Sequence, residues 1–464
     1  MVRLSSLLTA LSLGVAQTFA ALEVDLDDVE SIKRAAKNVA DDMLTFYHGD
    51  EPGWVPGILP GPPPDGDYYW WHGGAMWGAL LDYRHHTGDS DYDRITYEAL
   101  LFQVGEDRDY NPANWSASMG NDDQAFWGMS AMIAAEAGFK DPPKDQPQWL
   151  SLVQAVFNDQ TMPDRRVTEG PCKGGLRWQA VRYNNGFDYI NTIANACYFN
   201  MGARLARYTG NQTYVELVEA TYETIKRLGY IDKDYNVFDG AHLPNCDKIN
   251  RAQFSYNIGL LVQGAAALYN LTESAKWKTE LDNLLDATFK VFWPQGVAFE
   301  ISCESVTVGA GCNKDMEAYK GFVHRWLGYT AQVAPYTAAK IKPMIRSSVA
   351  AAVSQCTGGP NGRFCGFHWS TRQFDGAVGA GQQMNVLGAL TAMLMPDQGG
   401  APPLTNKTGG TSSGDYDAGG KSSVSKVVTP LTGGDRAGAG FLTALIIAGA
   451  LGAFAWMSTD GIAE

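Results

Sequence analysis

Apolar residues recur along this chain at intervals of three and four, the period of a helix with one buried face. Over residues 29–47 the stripe is Ile32, Ala36, Val39, Met43 and Phe46. The same period predicts further helices at about 74–86, 91–104, 123–138, 147–158, 190–209, 213–228, 255–269, 274–291, 317–334, 338–355 and 382–395, twelve in all. Alternating strand patterns are confined to short stretches such as Val297 to Ile301. Weak repeats punctuate the helices. Tyr83 runs into Thr87-Gly88-Asp89, Tyr208 into Thr209-Gly210-Asn211, and Tyr269 into Asn270-Leu271-Thr272, each reading as a helix stop and a polar cap. Six hairpins repeated in this way predict an all-α fold, a closed (α/α)6 barrel; a right-handed helical solenoid is the alternative. Long irregular segments at 48–73, 105–121, 159–189, 229–254 and 296–316 alternate with the tight turns. Loops of that length inside a compact domain carry function, so the site is expected on the long-loop face.

The ends divide the chain. Met1, Val2 and Arg3 precede an apolar run from Leu7 to Val15, with Thr18 and Ala20 where a signal peptidase reads. Residues 1–20 therefore read as a signal peptide and 21–398 as the barrel. Residues 399–435 are rich in Gly, Ser, Thr and Asp without apolar periodicity, and a disordered linker is expected there. Phe441 to Trp456 is apolar and uncharged but shorter than the ~20 residues of a bilayer span. With small residues upstream, 436–464 reads as a GPI-anchor signal that is removed, with attachment at Gly433; a plain tail anchor is the alternative. A secreted protein, anchored at the outer face of the plasma membrane or in the cell wall, is the expectation. Sequons at Asn114, Asn211, Asn270 and Asn406 agree with it.

Composition narrows the classes. A net charge of −14 without a basic patch excludes a nucleic-acid binder. Seven cysteines in an oxidising compartment leave one thiol over. Cys303 with Cys312 and Cys356 with Cys365 read as local disulfides, Cys172 with Cys246 as a long-range one, and Cys197 as a buried free thiol. No C-x-x-C pair exists and the seven His are scattered, so neither metal nor cofactor is expected. A monomer is expected. No P-loop, G-x-S-x-G or H-E-x-x-H is present.

One segment carries chemistry. A long loop ends at Asn121-Asp122-Asp123-Gln124, and an apolar helix follows. Asp122 and Asp123 can be read as helix-capping residues. They can equally be read as a catalytic couple, because glycoside cleavage needs one carboxyl to protonate the leaving oxygen and another to meet the sugar cation. Neighbouring carboxylates repel, so one holds a proton near neutrality. Candidate sugar contacts are Trp71, Trp77 and Trp178 as aromatic platforms, Asn191 and Asn195 on one helix face, and Asp239 and Asn257. Each can also be core or a structural hydrogen-bonding group.

The segment Asn121-Asp122-Asp123-Gln124-Ala125-Phe126-Trp127 resembles the catalytic motif of glycoside hydrolase family 76, the α-1,6-mannanases. Tyr189-Ile190-Asn191-Thr192-Ile193-Ala194-Asn195 is similar to a second motif of that family, with Ile190 in place of Lys. Gly174-Gly175 through Trp178 and Tyr256-Asn257-Ile258-Gly259 add to the likeness, which spans about 25–395. The signal peptide and tail point to its fungal Dfg5/Dcw1 wall subgroup. The resemblance implies an (α/α)6 barrel and a retaining mechanism, with Asp122 as nucleophile and Asp123 as general acid/base. It also implies a transglycosidase that cleaves the mannose core of a GPI glycan and passes wall proteins to β-glucan. A hydrolytic endo-α-1,6-mannanase and a non-catalytic mannan-binding wall protein are the competing readings.

Overall fold

The computed structural model describes residues 21–305, 311–395, 402–420 and 433–459. The expected signal peptide lies outside the described residues. All twelve expected helices form. In chain order they are α1 (Val29–Leu44), α2 (Trp70–Thr87), α3 (Asp93–Phe102), then after a one-turn α4 (Ala113–Ser116) α5 (Asn121–Glu136), α6 (Trp149–Thr161), α7 (Thr192–Thr209), α8 (Gln212–Arg227), α9 (Ser255–Thr272), α10 (Ala275–Phe292), α11 (Tyr319–Val333), α12 (Ala338–Ser354) and α13 (Ala380–Leu394).

Six of these make an inner ring. Helix α2 packs on α5, α5 on α7, α7 on α9, α9 on α11, α11 on α13, and α13 returns to α2. The barrel is therefore closed. The other six lie outside it, each against an inner neighbour. Sequence explains the division. Outer helices such as α1 carry one buried stripe, whereas α7 is buried on every side from Thr192 to Tyr208, as a helix within a core must be. Inner helices also carry glycine where they approach each other. A Cβ at Gly74 would stand 2.9 Å from the Trp127 ring, and one at Gly321 would stand 2.6 Å from the Asn385 Cα.

The tight turns follow the predicted punctuation. Gly88 and Gly210 adopt left-handed conformations, φ 78° and 73°, and donate back to Arg84 O and Ala206 O. The third stop falls later than Tyr269: α9 continues to Thr272, and Glu273 takes the left-handed position at φ 50°. The Val297–Ile301 pattern is not a strand. Ala298 N donates to Ser348 Oγ and Phe299 N to Phe292 O, so the alternation there reflects packing on α10 and α12. The one small sheet among the described residues pairs β1 (Tyr189–Asn191) antiparallel with β2 (Gly240–His242). It takes the first residues of the helix expected from 190. The three expected disulfides are present, and Cys197 is free and buried.

The expected disordered linker needs correction over 402–420. These residues pack against the barrel as a strap, with Leu404 N donating to Glu136 O and Asn158 Nδ2 donating to Tyr416 O. Composition misleads here because the strap is held by polar side chains of the barrel, not by apolar burial of its own. Further on, α14 (Gly433–Thr459) is a separate unit. Its Arg436–Ser458 stretch is long and apolar enough to cross a membrane, longer than the apolar run alone suggested.

Candidate active site

All six inner helices start on the long-loop face, so their N–H-rich ends converge there. Asp122 and Asp123 occupy the first turn of α5, half-buried between those ends. The segment before the helix is fixed by cross-strand bonds: Asn121 N donates to Trp178 O, and Ala180 N donates to Met119 O. This pairing brings the Trp178 indole over the acidic pair, where Nε1 donates to Asp122 Oδ2 at 3.0 Å.

Burial raises both carboxyls, Asp122 further under the charge of Asp123, and Asp123 to about 6 with a contribution from Asp315. The repulsion between them belongs to the pair, which holds a proton near neutrality. Asp122 Oδ2 receives the Trp178 indole, and its Oδ1 is buried without a partner. Asp123 receives the Gly120 N–H at 2.7 Å and faces Asp315. Each carboxyl thus has one donor, and the charge and the proton are shared within the pair.

A second layer of groups closes round the pair. Asp315, at the entry to α11, lies 3.4 Å from His72 Nε2, and the Trp71 ring stacks on His72 with centroids 3.9 Å apart. Burial holds His72 neutral, its pKa lowered to about 3, and Nδ1 accepts from Tyr69 N. Tyr256 and Tyr319 stack with centroids 3.9 Å apart at 10°. Asp239 accepts from the Tyr189 hydroxyl at 2.5 Å and from Asn250 Nδ2 at 3.2 Å. Carboxylates set among aromatic faces form a lining that suits sugar hydroxyls and C–H faces. Among the described residues no group of three His, Cys, Asp or Glu is placed to hold a metal.

Known proteins resemble this chain over most of its length. The profile of glycosyl hydrolase family 76 matches residues 31–407. The chain belongs to glycosyl hydrolase family 76. Mannan endo-1,6-α-mannosidase DCW1 of Saccharomyces cerevisiae is 40% identical to it over 430 residues, covering 92% of this chain and 93% of the relative. The crystal structure of Dfg5 from Chaetomium thermophilum in complex with glucosamine is 50% identical, covering 86% of this chain and 98% of that one, with a TM-score of 0.82. A variant of the α-1,6-mannanase of Salegentibacter, bound to α-1,6-mannotriose and inactive with two consecutive aspartates changed to asparagine, shares the fold at 15% identity, covering 79% of this chain and all of that one, with a TM-score of 0.62.

In this family 76 glycoside hydrolase the sequence-derived contacts fall into two groups. Trp71, Trp178, Asp239 and Asn257 lie around the pair or its second layer. Asn257 is fully buried, with both side-chain polar atoms free of partners in the described structure. Trp77 and Asn195 are corrected to structural roles. Trp77 is wholly buried, donates to Gly57 O at 2.8 Å and meets Tyr47 edge-on. Asn195 is also wholly buried, and its amide is spent on Leu176 N, Leu176 O and Asn191 O. Asn191 caps α7 by accepting from Ala194 N, at 4% exposure. Ile190 fills the space above Gly175, where a Cβ would stand 2.6 Å from its Cγ2.

Sequence reasoning missed Asp315, His72 and Tyr319. Only the length of segment 296–316 hinted at the first of them. Asp315 yields a pH prediction. Asp315→Asn removes a like charge facing Asp123, so the Asp123 proton leaves at lower pH. The alkaline limb of the kcat/KM profile should move down by less than about 1 unit, because Asp315 is itself pushed up to about 6 and carries only part of its charge there. An unmoved limb would show that Asp315 does not act on the acid.

Proposed function

We propose that this enzyme is a retaining α-mannosidase-type transglycosidase. It would cleave an α-mannosidic bond in the core of a GPI glycan and pass the glycan, with its attached protein, to wall β-glucan. The observation that carries the reading is the pair of adjacent carboxyls in the first turn of α5, both raised by burial and each held by one donor. In this reading Asp122 attacks the anomeric carbon and forms a glycosyl ester, while Asp123 gives its proton to the departing oxygen. Asp123, now a carboxylate, takes a proton from the acceptor hydroxyl, which displaces Asp122 from the sugar. The names of the relatives support the α-1,6-mannoside donor class. Trp71, Trp178, Asp239 and Asn257 would line the sugar subsites.

The reading extends to place. The apolar α14 and the small residues at its start support GPI attachment at Gly433, hence a secreted protein held at the outer membrane face or in the wall. Asn114 is exposed on α4, as a glycan acceptor must be. Asn270 is instead engaged, donating to Val333 O and accepting from Arg207 Nε.

Product analysis by mass spectrometry tests the reaction. The purified chain is incubated with a fluorescent α-1,6-mannoside of the GPI core, with and without a β-glucan oligosaccharide. A product joined to the glucan is the expected result. Release to water alone would make the enzyme an endo-α-1,6-mannanase. Sugar binding without any product would leave a mannan-binding wall protein.

A further inference from the structure

The strap 402–420 begins at the back of the barrel and ends at its active face. Arg207 Nη2 donates to Pro403 O, and Leu150 N donates to Ser412 Oγ near the start of α6. Asp415 N donates to Gln154 Oε1, and Asn158 Nδ2 donates to both Tyr416 O and Ala418 O, each one turn further along α6. Gly420 N finally donates to Asp159 Oδ1 at 2.7 Å. Gly419 is seated so closely that a Cβ would lie 2.4 Å from Ala155 O, and its φ of +68° excludes most side chains.

The end point of the strap matters more than its path. The other oxygen of Asp159 accepts from Gln124 Nε2 at 3.1 Å. Arg165 Nη1 donates to Asn121 Oδ1 at 2.5 Å and reaches Gln124 Oε1 at 3.4 Å, while Gln160 Nε2 donates to Asn121 O. Asn121, Gln124, Asp159, Gln160 and Arg165 are all fully buried. Asn121 and Gln124 are the residues on either side of Asp122 and Asp123. The catalytic candidates are thus clasped at both flanks by one buried cluster, and one acceptor oxygen of that cluster takes its donor from the strap. Burial and the Asp159 charge push Asp109 up to about 7, so Asp159 carries the charge of that pair and needs its donors.

We infer that the strap is a positioning element of the active site: seating Gly420 on Asp159 fixes Gln124 and Asn121, and through them the aim of Asp122 and Asp123. The matched family region stops at residue 407, and the bonds from Ser412 to Gly420 lie beyond it. The inference rests on the roles proposed above for the two aspartates. A buried acceptor left without its donor draws other groups toward it. A small displacement at a reacting pair costs rate out of proportion to the stability lost.

Hydrogen exchange by mass spectrometry on the full-length protein, paired with kinetics on an α-1,6-mannoside, tests it. Gly419→Ala and Asn158→Ala each unseat the strap's end and touch neither the pair nor its flanking residues. Thr411→Val removes the Thr411–Asp141 bond at the middle of the strap, away from its seated end, and is the control. In the first two variants amide exchange over 120–125 should rise about tenfold, and kcat should fall about tenfold with KM within about twofold of wild type. The control should change neither. Unchanged exchange over 120–125 despite faster exchange in the strap overturns the inference. So does an equal loss in Thr411→Val, which would reduce the effect to general destabilisation. A wild type inactive on the mannoside sinks the proposed reaction, and the exchange arm still decides the role of the strap.

Discussion

Asp122→Asn lowers kcat/KM on an α-1,6-mannoside by on the order of 10⁴, with sugar binding retained. The amide keeps the shape of the side chain and can still meet the Trp178 indole, so α5 and the cleft should be undisturbed. What disappears is the proposed nucleophile and its negative charge, which the developing sugar cation needs. Asp123→Asn is expected to behave differently. Its loss, about 10² to 10⁴, should fall on substrates whose leaving group needs a proton and largely spare an aryl mannoside that does not. Azide should restore turnover to Asp122→Ala and to Asp123→Ala with opposite stereochemistry. It would enter the vacated Asp122 position to give an inverted product, or attack the glycosyl-enzyme in the absence of Asp123 to give a retained one. If Asp122→Asn keeps more than about a tenth of wild-type activity, the pair only caps the helix.

Much of the barrel was legible because helix packing writes itself into sequence at a period that can be counted. The three-and-four period marked the twelve helices, and Gly88 and Gly210 marked two of the stops. The acidic pair was legible because two adjacent carboxyls at the end of a long loop have few uses. The rest failed for physical reasons. Trp71 and Trp77 were read alike as platforms, yet six residues at 100° each turn Trp77 well away from the face that Trp71 presents. Asp315 is one of three acids in the irregular segment 296–316, and only the closing of the ring carries it to the pair. The strap contains little apolar surface. Its order comes from Gln154, Asn158 and Asp159, residues 260 positions away in the chain.

The largest loss of stability is expected at the other end of the catalytic helix. Glu136 closes α5 at 3% exposure, accepting from Arg204 Nε at 3.0 Å, from Arg204 Nη2 at 2.5 Å and from the Tyr329 hydroxyl at 3.0 Å, with Arg207 Nη1 3.6 Å away. Arg204 is 1% exposed, so its charge has no access to water. Glu136→Gln keeps the volume and removes the counter-charge. Leaving one buried partner unpaired costs about 3–5 kcal/mol, whereas an exposed pair such as Lys33 with Glu30 is worth under about 1 kcal/mol. Adding Arg204→Met should recover much of the loss, because a buried ion pair replaced by apolar groups of similar size is often neutral. Fourteen residues separate Glu136 from Asp122, about 21 Å along the helix. Activity well below the unfolding transition should therefore stay near that of the wild type while the urea midpoint falls. A loss under about 1 kcal/mol would mean that water reaches Arg204 and that the back of the barrel is open. A matching fall in kcat would mean that α5 carries strain from one end of the barrel to the other.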